Sequence, residues 1–232
     1  MGHLLDNVIW NTLVGPHAQF AAGERGARRY ARGFSPIVGF ADQHAPDFEA
    51  LRPWCEDGEQ LYCSGWGGPV PTGWRIEADS TMCLMVCAPD ADAGSINCPD
   101  AGRGEAQRLG PQHARQAMEL AHLTRPGPFG LRTIDLGDYF GYFEGERLAA
   151  MAGERMHVGQ FREISGVCTH PDFQGRGFAR ALMLRLMALQ RSRGQTPFLH
   201  VMSANAGARR LYEQLGFRNY LEPVVRVITI TG

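Results

Sequence analysis

The stretch that decides the fold runs Glu163-Ile-Ser-Gly-Val-Cys-Thr-His-Pro-Asp-Phe-Gln-Gly-Arg-Gly-Phe-Ala179. Glu163 to Thr169 reads as a short buried strand carrying small residues, and Pro171 ends it because proline has no N–H for a ladder. Gln174 to Ala179 is a turn with glycines at 175 and 177, and Ala179 to Arg193 reads as a long amphipathic helix. A strand feeding a glycine turn that opens a helix is an anion site by construction. The first-turn amides have no intrahelical partner, the helix dipole adds partial positive charge, and glycine lets a phosphate approach closely.

Spacing separates the families that use this device. A P-loop requires a Gly-Lys pair, and this chain contains no lysine. A dinucleotide fingerprint requires a third glycine, yet Gly175-x-Gly177 is followed by Ala179-Arg180. The pattern present is Gln174-x-x-Gly177-x-Ala179.

Composition narrows the chemistry further. The 232 residues, 44% hydrophobic and 20% charged, suit one large domain or two small ones with a substantial core. A net charge of −1 gives no sign of nucleic acid or an anionic membrane as partner. The lack of lysine excludes Schiff-base and lysine-bound pyridoxal phosphate chemistry. The start has no basic segment of a signal peptide, and no apolar run is long enough for a bilayer. Six cysteines at 55, 63, 83, 87, 98 and 168 form no Cys-x-x-Cys pair, so no metal is expected. They read as reduced and mostly buried, with a cytoplasmic location.

Along the chain, Val8 to Val14 suggests a short helix, Ile37 to Ala41 a strand, Asp47 to Trp54 a helix and Gln60 to Ser64 a strand. Gly65 to Gly73 is a loop, and Trp74 to Cys87 holds one long strand or two. Ala88 to Gly110, rich in alanine, aspartate, glycine and proline, reads as an exposed connection. This divides the chain into residues 1–100 and 101–232. In the second part, His113 to Leu123 reads as a helix and Tyr139 to Met156 as a hairpin. After the glycine turn and its helix come a strand at Pro197 to Val201, a helix at Asn205 to Leu215 and a strand at Pro223 to Thr231.

Two linked signals, Gln174-x-x-Gly177-x-Ala179 and Asn205-x-x-Ala208-x-x-Leu211-Tyr212-Glu213-x-Leu215-Gly216-Phe217, resemble the core of the Gcn5-related N-acetyltransferases (GNAT) in the right order. The wording Cys168-Thr169-His170-Pro171 and Pro197-Phe198-Leu199-His200-Val201 is similar to the FR47-like subgroup. The resemblance covers roughly residues 110–230. It implies an α/β (α+β) fold, with a mixed central sheet flanked by helices, and residues 1–100 as a smaller α/β region that could be a degenerate half-sized copy of the same fold. It also implies acetyl-coenzyme A as co-substrate and a small-molecule or peptide amine as acceptor, on a monomer or homodimer. The second reading is a non-catalytic acyl-coenzyme A sensor.

Residue by residue, the resemblance puts the cofactor pyrophosphate on Gln174, Gly175, Arg176, Gly177, Phe178 and Ala179. The pantetheine arm would run along Val167, Cys168 and Thr169, where the strand splays from Pro197–Val201 and leaves backbone groups in need of partners. Asn205 would contact the arm or cap its helix. Tyr212 is the candidate acid that protonates the leaving thiolate, and Glu163 the candidate base, with His170, Glu144 and Glu154 as weaker candidates. In a regular strand Glu163 shares its face with Ser165, Val167 and Thr169. Cys168 reads better as a buried thiol than as a nucleophile.

Overall fold

Alternating and helical periodicities resolve into twelve strands and five α-helices in a computed structural model that describes residues 2–89 and 104–231. Part of the expected 88–110 connection, the boundary near residue 100 and Cys98 therefore lie outside the described residues. The first part of the chain holds α1 (Val8–Val14), β1 (Ala21–Ala22), β2 (Ala27–Tyr30), β3 (Ile37–Phe40), α2 (Phe48–Leu51), β4 (Gln60–Ser64) and β5 (Trp74–Cys87). Then come β6 (Gln107–Arg108), α3 (Ala114–Thr124), β7 (Tyr139–Glu144), β8 (Arg147–Val158), β9 (Phe161–Thr169) and α4 (Phe178–Ser192). The chain finishes with β10 (Thr196–Met202), α5 (Ala206–Gln214), β11 (Phe217–Leu221) and β12 (Val224–Ile230). Local chemistry sets the ends: Asp47 accepts from the Ala50 amide and Asn205 from the Ala208 amide, each closing the start of a helix.

The strands form one mixed sheet in the order β1-β2-β3-β4-β12-β5-β10-β9-β8-β7-β6, with β11 beside β5. The β3–β4 and β9–β10 pairs are parallel. This is the expected mixed sheet flanked by helices. Two features of the topology are not encoded in any local pattern. The last strand, β12, lies between β4 and β5, among strands of the first part of the chain. The single long strand β5 pairs with β12 from Trp74 to Thr81 and with β10 from Met82 to Val86, so it threads through both halves of the sheet.

The sheet's two faces have separate cores. On one, Leu182, Met183 and Leu186 of α4 pack with Met85, Ile164 and Leu199. On the other, Leu5, Ile9 and Leu13 of the amino-terminal segment pack with Leu84, Met156 and Phe198. At about 25 cal/mol per Å² of apolar surface removed from water, this second core gives the amino-terminal segment a large share in holding the central strands.

The strand β9 is not regular, which corrects the expectation that Glu163, Ser165, Val167 and Thr169 share one face. Ser165 pairs with Gly153 and Cys168 with Met151, so Gly166 and Val167 together oppose Ala152. The extra residue makes a β-bulge, and Gly166 supplies the left-handed conformation it needs, at φ +63°. A second bulge lies on β8, where Arg155 and Met156 together oppose Glu163.

A Cβ added at Gly166 would stand 3.2 Å from Tyr139 and 3.4 Å from Phe129. Gly166→Ala should therefore cost roughly 1–3 kcal/mol in chemical denaturation, from a positive φ in a crowded site. Wild-type stability in that variant would contradict this account of the bulge.

Candidate active site

The parallel strands β9 and β10 pair only at Phe161–Thr196, Arg162–Pro197 and Glu163–Phe198. Beyond Glu163 they part. Among the described residues, β9 has no ladder partner on its β10 side from Ile164 on, so its backbone groups facing that way need others. A cleft of about 240 Å³ opens here. Its walls include Ser165, Gly166 and Val167 from β9, and Asn205, Ala208 and Tyr212 around α5. Its far wall comes from the first part of the chain and its returning strand, through Tyr62, Ser80, Met82 and Val225.

At the other end of this gap lies the glycine turn. Pro171–Phe173 forms a single 3-10 turn after β9, and α4 then starts with Gly177 as its N-cap. Gly175 and Gly177 are both left-handed, at φ +77° and +76°, and among the described residues no side chain caps the helix. Gln174, Gly175, Arg176 and Gly177 are exposed. Phe178 is buried, its ring stacked 4.7 Å from that of Tyr142, which anchors the first turn of the helix. Arg176 is spoken for: it pairs with Glu144 at 2.5 Å and lies over the Phe178 ring.

Tyr212 lines the cleft from the α4/α5 side, and burial pushes its hydroxyl up to about 12. It thus holds its proton at neutral pH, as an acid must before it donates. Burial likewise pushes the Cys168 thiol up to about 11, which disfavours the thiolate a nucleophile needs. Thr169 pairs with Ala150 at the end of β9.

Glu163 is placed differently from what a base in contact with substrate requires. It is fully buried and does not line the cleft. Arg155 binds it through Nε at 2.9 Å and Nη2 at 2.7 Å, the Met156 amide donates at 3.1 Å, and His200 Nδ1 lies 2.7 Å away. The β8 bulge explains this density of donors, since it turns both Arg155 and the Met156 amide toward one carboxylate. Burial alone would raise the Glu163 pKa, but Arg155 and His200 outweigh it and hold the group down at about 2. The weaker candidates are engaged elsewhere. Glu154 accepts from Gln190 and the Asp138 amide, Glu144 pairs with Arg176, and His170 lies against Arg147 and Asp172.

His200, by contrast, lines the cleft. In the sequence it stands only within the FR47-like phrase Pro197-Phe198-Leu199-His200-Val201, which carries no role for it. A histidine two residues past a strand's last pairing, opposite a buried glutamate, was the available signal, but the partner's position depends on tertiary register.

Because the Glu163 pKa falls from 4.5 to about 2 on folding, its stabilisation is present above pH 4.5 and is lost as pH drops toward 2. At 1.36 kcal/mol per unit this is roughly 3 kcal/mol. Urea denaturation should show wild type well above Glu163→Gln at neutral pH, with the gap narrowing toward pH 2. A gap independent of pH would contradict this role for the ion pair.

The FR47-like protein family matches residues 139–227 of this chain. A mycothiol acetyltransferase from Thermobispora bispora is 36% identical over 98 residues, spanning 38% of this chain and 33% of that protein. The chain thus matches about a third of that relative's length. Two solved GNAT structures support the fold: a GCN5-related N-acetyltransferase-like protein from Streptococcus suis, with TM-score 0.63 and 15% identity over 96% of this chain and 92% of its own, and a GCN5-related N-acetyltransferase from Kribbella flavida, with TM-score 0.60 and 13% identity over 97% and 95%. A GNAT-family structure from Novosphingobium aromaticivorans superposes with TM-score 0.85 and 31% identity over 100% of both chains. With so similar a relative along its whole length, this chain belongs to the GNAT acetyltransferase superfamily, and residues 139–227 are its FR47-like domain.

Proposed function

We propose that the protein transfers an acetyl group from acetyl-coenzyme A to a primary amine by direct attack in a ternary complex. The observation that carries this is the parting of β9 and β10 beside an uncapped helix start with two left-handed glycines. Amides around Gly175, Gly177, Phe178 and Ala179 suit the diphosphate, with Gln174 at the mouth of the turn. The unpaired edge of β9 from Ile164 through Val167 suits the amide-rich pantetheine arm, which would supply its missing hydrogen bonds. Cys168 and Thr169 continue that edge, and Asn205, already bonded to the Ala208 amide, bounds the arm's far side.

The two faces of the sheet suit opposite halves of the reaction. Tyr212 belongs to the α4/α5 face, where the thioester sulfur would leave, and its O–H protonates the thiolate. His200 belongs to the opposite face, beside Phe198 and Leu84, where the amine would arrive. Division of the chain at residue 100 is part of this reading. The first part, through Tyr62, Ala78, Ser80 and Met82, and strand β12 wall the acceptor side, so the acceptor is chosen in part by residues that precede the FR47-like domain.

Thiol release from acetyl-coenzyme A across a panel of primary amines tests this reading, with calorimetry for cofactor binding. Tyr212→Phe should lower kcat by about 100-fold or more while acetyl-coenzyme A affinity holds. Binding without turnover of any amine would favour the sensor instead, and unchanged kcat would remove Tyr212 as the acid.

A further inference from the structure

We propose that His200 takes the proton from the attacking amine, with Glu163 and Arg155 as positioning residues that hold its ring for the task. The proposal rests on the acetyl-transfer reading above and names the base within it.

Glu163 fixes the tautomer of His200. Glu163 is ionised and can only accept hydrogen bonds, so the His200 Nδ1 at 2.7 Å must carry a proton. In the neutral ring this leaves the lone pair on Nε2. That nitrogen has no hydrogen-bond partner among the described residues. Its side chain is 5% exposed, and it lines the cleft. The charges also balance, because Arg155 neutralises Glu163 and the cluster can hold a neutral imidazole without a further counter-ion.

Three spaces converge on His200. His200 lines the 240 Å³ cleft, a small apolar chamber of about 40 Å³ bounded by Ile9, Ile37 and Met82, and a 340 Å³ pocket on the α1 side. It is thus the side chain where the parted strands meet the space behind them. The titratable groups around it are Glu163 from β9, Arg155 from β8, Tyr62 and Cys63 from β4 and, in the cleft, Arg125 and Tyr212. In the outer pocket they are Asp6, His44 and Glu222. Neither Leu84 of β5 nor Ile9 of α1 adds a charge.

Glu163 itself is unsuited to take the proton. All four hydrogen bonds to Glu163 come from fixed protein groups, and a carboxylate that protonates only near pH 2 is a poor acceptor for an ammonium proton. In the step proposed, the amine lone pair forms the N–C bond at the thioester carbonyl and the C–S bond breaks. The proton lost from nitrogen goes to His200 Nε2, and the thiolate receives one from Tyr212. Water then returns the proton from imidazolium to tyrosinate, which leaves amide, free thiol and both side chains as they began.

Two measurements test this. Nitrogen-15 NMR of histidine-labelled protein at pH 8, assigned with His200→Gln, should show a neutral His200 with its proton on Nδ1. A proton on Nε2, or on both nitrogens, would overturn the proposal without any acceptor being known. His200→Gln keeps the Glu163–Arg155 pair intact. With acetyl-coenzyme A and the best amine of the panel, it should lose about 100-fold or more in kcat, with unchanged cofactor affinity. It should also lose the acidic limb of the kcat/KM profile. Glu163→Gln, if it folds, should shift that limb rather than abolish it, and imidazole should partly rescue His200→Gly. Wild-type kcat in His200→Gln overturns the assignment of the base but leaves acetyl transfer standing, whereas a wild type that acetylates no amine overturns the reading beneath it.

Discussion

Two parallel strands that pair for three residues and then separate set the terms for everything else in this molecule. A sheet normally closes such a gap, because an unpaired edge leaves backbone donors and acceptors without partners. Here the gap is held open at its root. Glu163 is the last residue of β9 to pair with β10, and its carboxylate gathers Arg155 and the Met156 amide from β8 and His200 from β10. Three strands are thus tied at one buried point. A buried ion pair is weak evidence for net stability, since its desolvation offsets much of its attraction. Its value here is geometric: it fixes strand positions and a ring orientation at the mouth of the cleft.

The bulges serve the same end. On β8 the extra residue turns a side chain and an amide toward one carboxylate, while on β9 the left-handed Gly166 re-aims the strand just as it enters the cleft. Bulges of this kind redirect side chains where a regular ladder would point them away. The amino-terminal region is bound into the design as well. With β12 running between β4 and β5, the end of the chain is a strand of the first part's sheet, and β5 carries hydrogen bonds from both sides. The FR47-like segment therefore completes its fold only with strands supplied from before residue 88.

Much of this was legible in the sequence because it is local. The glycine turn, α4 and α5 announce themselves through proline, glycine and helical spacing within a few residues, and Asn205 caps α5 as its type predicts. What was not legible depends on partners far along the chain. Glu163 looks like a rim carboxylate until Arg155, eight residues earlier, and His200, 37 residues later, are brought to it. The parity argument for β9 failed because a bulge is a property of two strands in register, and only the glycine at 166 hinted at it. The two-residue strands β1 and β6 are too short to show a period, and the exposed strand β11 has no alternating apolar face. The place of β12 is a matter of topology that its own alternating residues do not encode.

The most direct measurement is a crystal structure with coenzyme A bound. The account predicts the diphosphate against the amides of residues 175–179, and the pantetheine arm hydrogen-bonded along β9 between Ile164 and Thr169. The sulfur would then lie between β9 and β10, within reach of Tyr212. A cofactor bound elsewhere, or β9 and β10 zipped together beyond Glu163 with the arm excluded, would contradict it.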